Sequence, residues 1–294
     1  ITGWTEAKGA KKLSSSLTKL ELLYLGGNML NGQILPQLSG FQSLRQLYLW
    51  GNNIRGMIPL SDIEAFKNLK LLDLGANAID GFISHDDDSV KPSSSLTNLE
   101  VLDLSENRLN KSILPQLSRF QSLKRLHLSD NQLGGVIRLN AFEAFNNLEE
   151  LYLSWNGINH VISQNDSLKL SSTLPKLRTL YLGGNHLDSS VLPHLWALPS
   201  LASLDLSNNQ IGGLIRLHDF EGFKNLEQLS LGSNGIDGIT TDGPMKRSKL
   251  EQLDLSSNNL NSSSLPYLSG LPSSLKVLSL DVNKLEGAIK FQDI

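Results

Sequence analysis

The residues of this chain that could do chemistry are few, and most recur on a fixed spacing. Aspartates stand at Asp73, Asp103, Asp205 and Asp254, each flanked by two leucines. Paired carboxylates can divide acid and base roles, but these four share one recurring Leu-Asp-Leu wording and read as solvated strand residues. Asp86, Asp87 and Asp88 could offer oxygen ligands to a hard cation. Three neighbours in one polar loop read as solvated loop instead, as do Lys8, Lys11 and Lys12, so no metal site is expected. The six histidines are scattered and cysteine is absent. The chain holds no G-x-S-x-G, H-E-x-x-H, Walker A or G-x-G-x-x-G. A non-enzyme without cofactor is the expectation. With 26 basic and 29 acidic residues, the net charge of -3 points to no nucleic-acid or anionic-membrane partner.

The element that must position these residues is written in Leu99-Glu100-Val101-Leu102-Asp103-Leu104-Ser105-Glu106-Asn107-Arg108-Leu109, an L-x-x-L-x-L-x-x-N-x-L unit. Its asparagine recurs in phase as Asn28, Asn52, Asn77, Asn107, Asn131, Asn156, Asn185, Asn209, Asn234, Asn258 and Asn283. Alternation along a strand turns Leu102 and Leu104 inward and Asp103 outward. The asparagine amide can donate to and accept from backbone groups left unpaired at the turn, so the series is expected to form a structural ladder. One rung cannot bury its own apolar side, and stacking does. The expected fold is an α/β repeat solenoid. Strands at Leu22–Tyr24, Gln46–Tyr48, Leu71–Asp73 and eight equivalents form a parallel sheet lining the concave side. It is read as one domain over 1–294, eleven repeats, cut in mid-repeat at both ends.

The spacing between asparagines rises to 30 and 29 at the third and sixth intervals, the ninth being shortened to 24, and the linkers are of three types. One carries Ile34-Leu35-Pro36-Gln37-Leu38 and its copies, one a phenylalanine (Phe66, Phe145, Phe223), and one a longer polar loop such as 84–89. A tandem triplet follows. An apolar residue three before each strand closes the core from the convex side (Phe41, Phe66, Leu96, Phe120, Phe145, Leu174). Arg247 takes that place once, and its rung should pack less well.

With L-x-G-x-I turns such as Ile54-Arg55-Gly56-Met57-Ile58, this wording is that of the leucine-rich repeat. The chain resembles the ectodomains of plant receptor-like proteins and receptor kinases. The resemblance implies a leucine-rich-repeat horseshoe or superhelix, an extracellular, cell-surface location, a protein or peptide ligand and possible co-receptor, and a membrane anchor only through a segment absent here. It departs in one respect, since G-x-I-P is complete only at Gly56 to Pro59. The absence of cysteine then fits an internal stretch of a secreted solenoid. A secreted inhibitor of a microbial wall-degrading enzyme is the alternative function. An ice-binding repeat would need a uniform outward array, which the mixed outward series denies.

That outward series reads Tyr24, Tyr48, Asp73, Asp103, His127, Tyr152, Tyr181, Asp205, Ser230, Asp254, Ser279. The next outward position is mostly glycine or serine, with Trp50 and Trp155 read as exceptions. Exposed tyrosine and tryptophan anchor protein recognition. The expected ligand surface is centred on His127, Tyr152, Trp155 and Tyr181, with Asp103 and Asp130 at its edge. Tyr24, Tyr48 and Trp50 form a rival patch, and Trp196 is read as incidental. N-x-[ST] occurs at Asn110, Asn165 and Asn261, so N-linked glycans are expected.

Overall fold

A chain that returns to the same strand position every 24–30 residues can pair successive strands only in parallel, each closed by a long crossover. The computed structural model describes residues 7–83, 98–163, 174–245 and 248–287, and its contacts group them into two compact units. One comprises Ile1–Leu133 with Ala141–Leu148, the other Gly134–Asn140 with Glu149–Ile294. The calcium-loop candidates Asp86 to Asp88, the sequon at Asn165, Leu96 and Arg247 lie outside the described residues, as do the side chains of Lys8 and Lys11.

Among the described residues, the main sheet of the first unit holds five parallel strands, Leu22–Tyr24, Gln46–Tyr48, Leu71–Asp73, Val101–Asp103 and Arg125–His127. That of the second holds six, Glu150–Tyr152, Thr179–Tyr181, Ser203–Asp205, Gln228–Ser230, Gln252–Asp254 and Val277–Ser279. All eleven stand where the repeat spacing places them. The central leucine of each points into the core: Leu47, Leu72, Leu102, Leu126 and Leu151 are fully buried. Leu23 and Leu278, in the first and last described strands, are only half-buried.

The three linker types become three structures. The Ile-Leu-Pro-Gln-Leu type forms one short helical turn, at Ile34–Leu38, Ile113–Leu117 and Val191–Leu195. An Asx turn opens each: the Oδ1 atoms of Asn31, Asn110 and Asp188 accept from the N–H two residues on. Proline then sits within the first turn, where no intrahelical donor is needed. This explains why Pro36, Pro115 and Pro193 stand one residue later than the proline of the G-x-I-P wording. The other two types pair as small parallel side sheets that the repeat spacing did not predict. They are Arg55–Pro59 with Ala78–Ile83 in the first unit, and Gly135–Arg138 with Ile158–Ile162 and Gly213–Arg216 with Ile236–Thr240 in the second. Phe41, Phe66, Phe120, Phe145, Leu174, Leu198 and Phe223 are buried, as the pre-strand position requires.

The asparagine ladder fastens rung to rung. Asn107 Nδ2 donates to the carbonyls of Leu74, Leu104 and Ser105 at 3.0, 3.1 and 2.9 Å, and its Oδ1 accepts from Ile79 N–H at 2.9 Å. Asn77, Asn131, Asn209 and Asn258 repeat the scheme. Among the described residues, exposed Asn28, in the first described rung, reaches only carbonyls of its own rung.

Charge adds a smaller tie in the first unit. Glu100 bridges Lys124 and Lys70 at 2.7 and 2.8 Å. Those two ammonium groups hold its carboxyl down to about 2. A lowered carboxyl stabilises the fold above its ordinary range near 4.5, and that contribution is lost as pH falls towards 2. All three side chains are partly exposed, so solvent screens the gain. Glu100→Gln is expected to lower stability by no more than about 1 kcal/mol at neutral pH. The difference should vanish on acidification from pH 4.5 towards 2. Denaturant midpoints at several pH values check this; a gap that persists at low pH would contradict it.

Candidate functional site

Each strand ends at an outward residue, and register brings these residues into rows. In the first unit the row runs Tyr24, Tyr48, Asp73, Asp103, His127. Tyr24 and Tyr48 stack with centroids 4.6 Å apart. Burial and then the Tyr24 ring push the Tyr48 hydroxyl up from its ordinary range. Burial likewise raises the Asp73 carboxyl, with the Gly75 N–H working against it and the Asp103 charge adding to it. His127 Nδ1 lies 3.7 Å from Asp103 Oδ2.

In the second unit the row runs Tyr152, Tyr181, Asp205, Ser230, Asp254, Ser279. Tyr152 and Tyr181 stack at 4.9 Å with an interplanar angle of 18°. The Tyr152 hydroxyl donates to Glu150 Oε2 at 2.8 Å, which fixes the ring. Beyond Tyr181 the outward face forms a shallow groove of about 370 Å³, ending at Val277 and Ser279. Ser203, Gln228, Gln252 and Val277 line one side, Asp205, Ser230, Asp254 and Ser279 the other, with Leu204, Leu229 and Leu253 between them. The expected centre therefore falls in two parts. Asp103, His127 and Asp130 belong to the first unit, and Tyr152, Trp155 and Tyr181 to the second.

The recurring aspartates have a local role. Oδ1 of Asp73, Asp103, Asp205 and Asp254 accepts from the N–H two residues on, at 3.0, 2.9, 2.8 and 2.9 Å. Each closes the strand end as an Asx turn.

Two sequence placements change. Trp50 occupies the second outward position, but Trp155 does not. It stands immediately before its ladder asparagine with φ 56°, and Asp130 stands likewise with φ 55°. All eleven rungs adopt this left-handed conformation there, from Gly27 through Val282. The backbone must reverse at that residue for the asparagine to enter the core. Glycine accepts such a φ freely, whereas a side chain costs about 1–2 kcal/mol.

The described tryptophans share a second feature. Trp50 lies against Gly26, Trp155 against Gly184 and Trp196 against Gly222, each glycine in a neighbouring rung; a Cβ at any of the three would overlap the ring. Trp196 is thus packed on the linker of the following rung rather than incidental. Trp155 nonetheless keeps 56% of its surface exposed. Gly184→Ala should displace the Trp155 ring and cost about 1 kcal/mol, since Gly184 has φ 67°. Acrylamide quenching of Trp155, with the other tryptophans replaced by phenylalanine, checks it. Unchanged quenching would contradict the contact.

A Leucine Rich Repeat family model matches residues 43–63, 98–120, 176–198 and 249–271, and a second one matches 121–138 and 197–215. Receptor-like protein 39 of Arabidopsis thaliana is 32% identical over 304 residues, covering 93% of this chain and 32% of that protein. Lumican of Mus musculus is 36% identical over 167 residues, covering 55% of this chain and 44% of the relative. Among solved structures, the Arabidopsis receptor kinase HAESA ectodomain in complex with an IDA peptide hormone ligand is 27% identical. It superposes with a TM-score of 0.55, over 86% of this chain and 40% of that one. The chain spans about a third of the length of the receptor-like relatives that it matches along most of its own. Eleven phased rungs, the asparagine ladder and these matches agree: the chain belongs to the leucine-rich-repeat proteins of the plant receptor-like type.

Proposed function

We propose that this chain is the ligand-recognition part of a plant cell-surface receptor-like protein, and that its ligand is a protein or peptide held on the outward strand face. The stacked Tyr152–Tyr181 pair at the head of an open groove carries the reading. The inward leucines make the backbone uniform from rung to rung, so discrimination rests on the outward side chains. Tyrosine and tryptophan offer large apolar area at low entropic cost, together with a polar tip. The HAESA ectodomain, solved with a peptide hormone, lends support from a relative. His127 beside Asp103, and the Tyr24–Tyr48 stack beside Trp50, are further contact candidates in the first unit. Recognition here is read as non-catalytic, with the repeated aspartates closing strand ends through Oδ1. No helix among the described residues is long and apolar enough to cross a membrane. Membrane anchoring and a co-receptor are assigned to the whole protein. Hydroxyl-radical footprinting in apoplastic washing fluid tests the reading. Protection of Tyr152, Trp155 and Tyr181 with no change at Met57 and Trp196 is expected. Protection confined to Met57 or Trp196 would overturn it.

A surface location also carries glycans in this proposal. Asn110 and Asn261 are exposed at equivalent turns, and each Oδ1 accepts from the serine N–H two residues on, at 2.9 Å. Secreted from a plant host, the chain should lose mass on glycosidase treatment, and Asn110→Gln with Asn261→Gln should leave only the loss that the Asn165 sequon accounts for. An unchanged mass for the unsubstituted chain would contradict glycosylation.

A further inference from the structure

The groove beyond Tyr181 has a chemistry of its own. Asp205 and Asp254 line it two rungs apart, with Ser230 between them donating to Asp254 Oδ2 at 3.2 Å. Gln228 and Gln252 supply amides along one edge, and Ser203 adds a hydroxyl. Among the described residues no lysine, arginine or histidine lines it. Lys276, in the last described rung, is already paired with Glu251 at 2.8 Å. The face is therefore acidic, polar and open, with an aromatic wall at one end.

We propose that this groove seats an extended peptide segment whose arginine or lysine side chain lies between Asp205 and Asp254. The proposal rests on the strand face being the ligand surface and names what that surface selects. Parallel strands lie about 4.8 Å apart, so the two aspartates are separated by roughly 10 Å along the row. A guanidinium carries donors on opposite edges and, lying in that gap, can give a charge-assisted hydrogen bond to either carboxylate. Oδ1 of each aspartate is held by its own turn, which fixes the carboxylates before a ligand arrives. The aliphatic stem can then lie towards the Tyr181 face. From Tyr181 to Ser279 the row crosses four rung intervals, roughly 19 Å, the length of about six extended residues. Glutamine amides and serine hydroxyls both donate and accept, as a peptide backbone requires.

The test uses the full chain, immobilised, and three random octapeptide libraries with one central position fixed as arginine, glutamine or glutamate. The arginine library should be retained at least tenfold above the glutamine library, with glutamate lowest. That advantage should shrink as salt rises. Asp205→Asn with Asp254→Asn preserves the oxygen that accepts from the Ser207 and Ser256 N–H groups, and it should bring the arginine-to-glutamine ratio to about one at an unchanged melting temperature. Equal retention of arginine and glutamine libraries, still reduced by Tyr152→Ala, would overturn the basic-residue assignment and leave peptide recognition standing. Retention of no library, or retention indifferent to both sets of substitutions, would overturn both.

Discussion

Asn131→Ala is expected to lower stability by about 2–3 kcal/mol, while Gln132→Ala next to it changes almost nothing. Asn131 is buried, and its Nδ2 donates to the carbonyls of Leu104, Leu128 and Ser129 at 2.9, 3.1 and 3.1 Å. Its Oδ1 accepts from Leu109 N–H at 2.9 Å. Truncation removes one donor from each of these three carbonyls, of which Leu104 keeps Asn107 Nδ2 and Ser129 keeps the Glu106 N–H, and it takes the acceptor from the buried Leu109 N–H; a buried group left unpaired costs about 1–3 kcal/mol before relaxation. The bonds to Leu104 and Leu109 cross to the preceding rung, so the loss also weakens stacking, the source of stability in a repeat array. Gln132 is exposed and bridges Asn110 through its backbone, which alanine keeps. Asn131→Asp separates the two halves of the role: it retains the acceptor for Leu109 and removes both N–H donors. It should be at least as damaging as alanine at neutral pH. Denaturant midpoints of the three variants decide the matter, and equal midpoints for Asn131→Ala and Gln132→Ala would show that the ladder is not structural.

Strands and ladder were legible because both follow from residue type at fixed spacing. Leu102 and Leu104 must be inward if Asp103 is outward, and Asn107 must sit at the turn. Trp155 was misplaced for a definable reason. Its position tolerates glycine, alanine, glutamate, aspartate, serine, asparagine and valine in other rungs, so residue type does not betray a left-handed backbone. Only the residue count back from the ladder asparagine does so. The side sheets were written in Gly56-Met57-Ile58 and Gly213-Leu214-Ile215, short alternations that resemble turn wording. The groove was not legible, because no single residue announces it: it forms only where Asp205, Ser230 and Asp254 align beside Ser203, Gln228 and Gln252 on successive rungs. The tyrosine pairs were visible as residues on adjacent rungs, but their stacking at 4.6 and 4.9 Å required coordinates.

Removing Tyr152 and Trp155 together, both to alanine, should weaken ligand binding by at least about 2 kcal/mol, roughly thirtyfold in Kd. The Tyr152 ring is held on two sides, by the Tyr181 stack and by its hydroxyl bond to Glu150, so little freedom remains to be lost on binding. Trp155 is half-exposed and braced by Gly184, which gives a second rigid apolar surface in the next rung's direction. Trp196 supplies the control. It is 41% exposed and likewise braced by a glycine, but it belongs to a linker at the end of the Val191–Leu195 turn rather than to the strand row. The measurement is retention of the random octapeptide library by the doubly substituted chain beside Trp196→Ala, with melting temperatures confirming that both fold. The account predicts loss of binding in the first and wild-type binding in the second. Wild-type binding by both, or a greater loss with Trp196→Ala, would contradict recognition on the strand face.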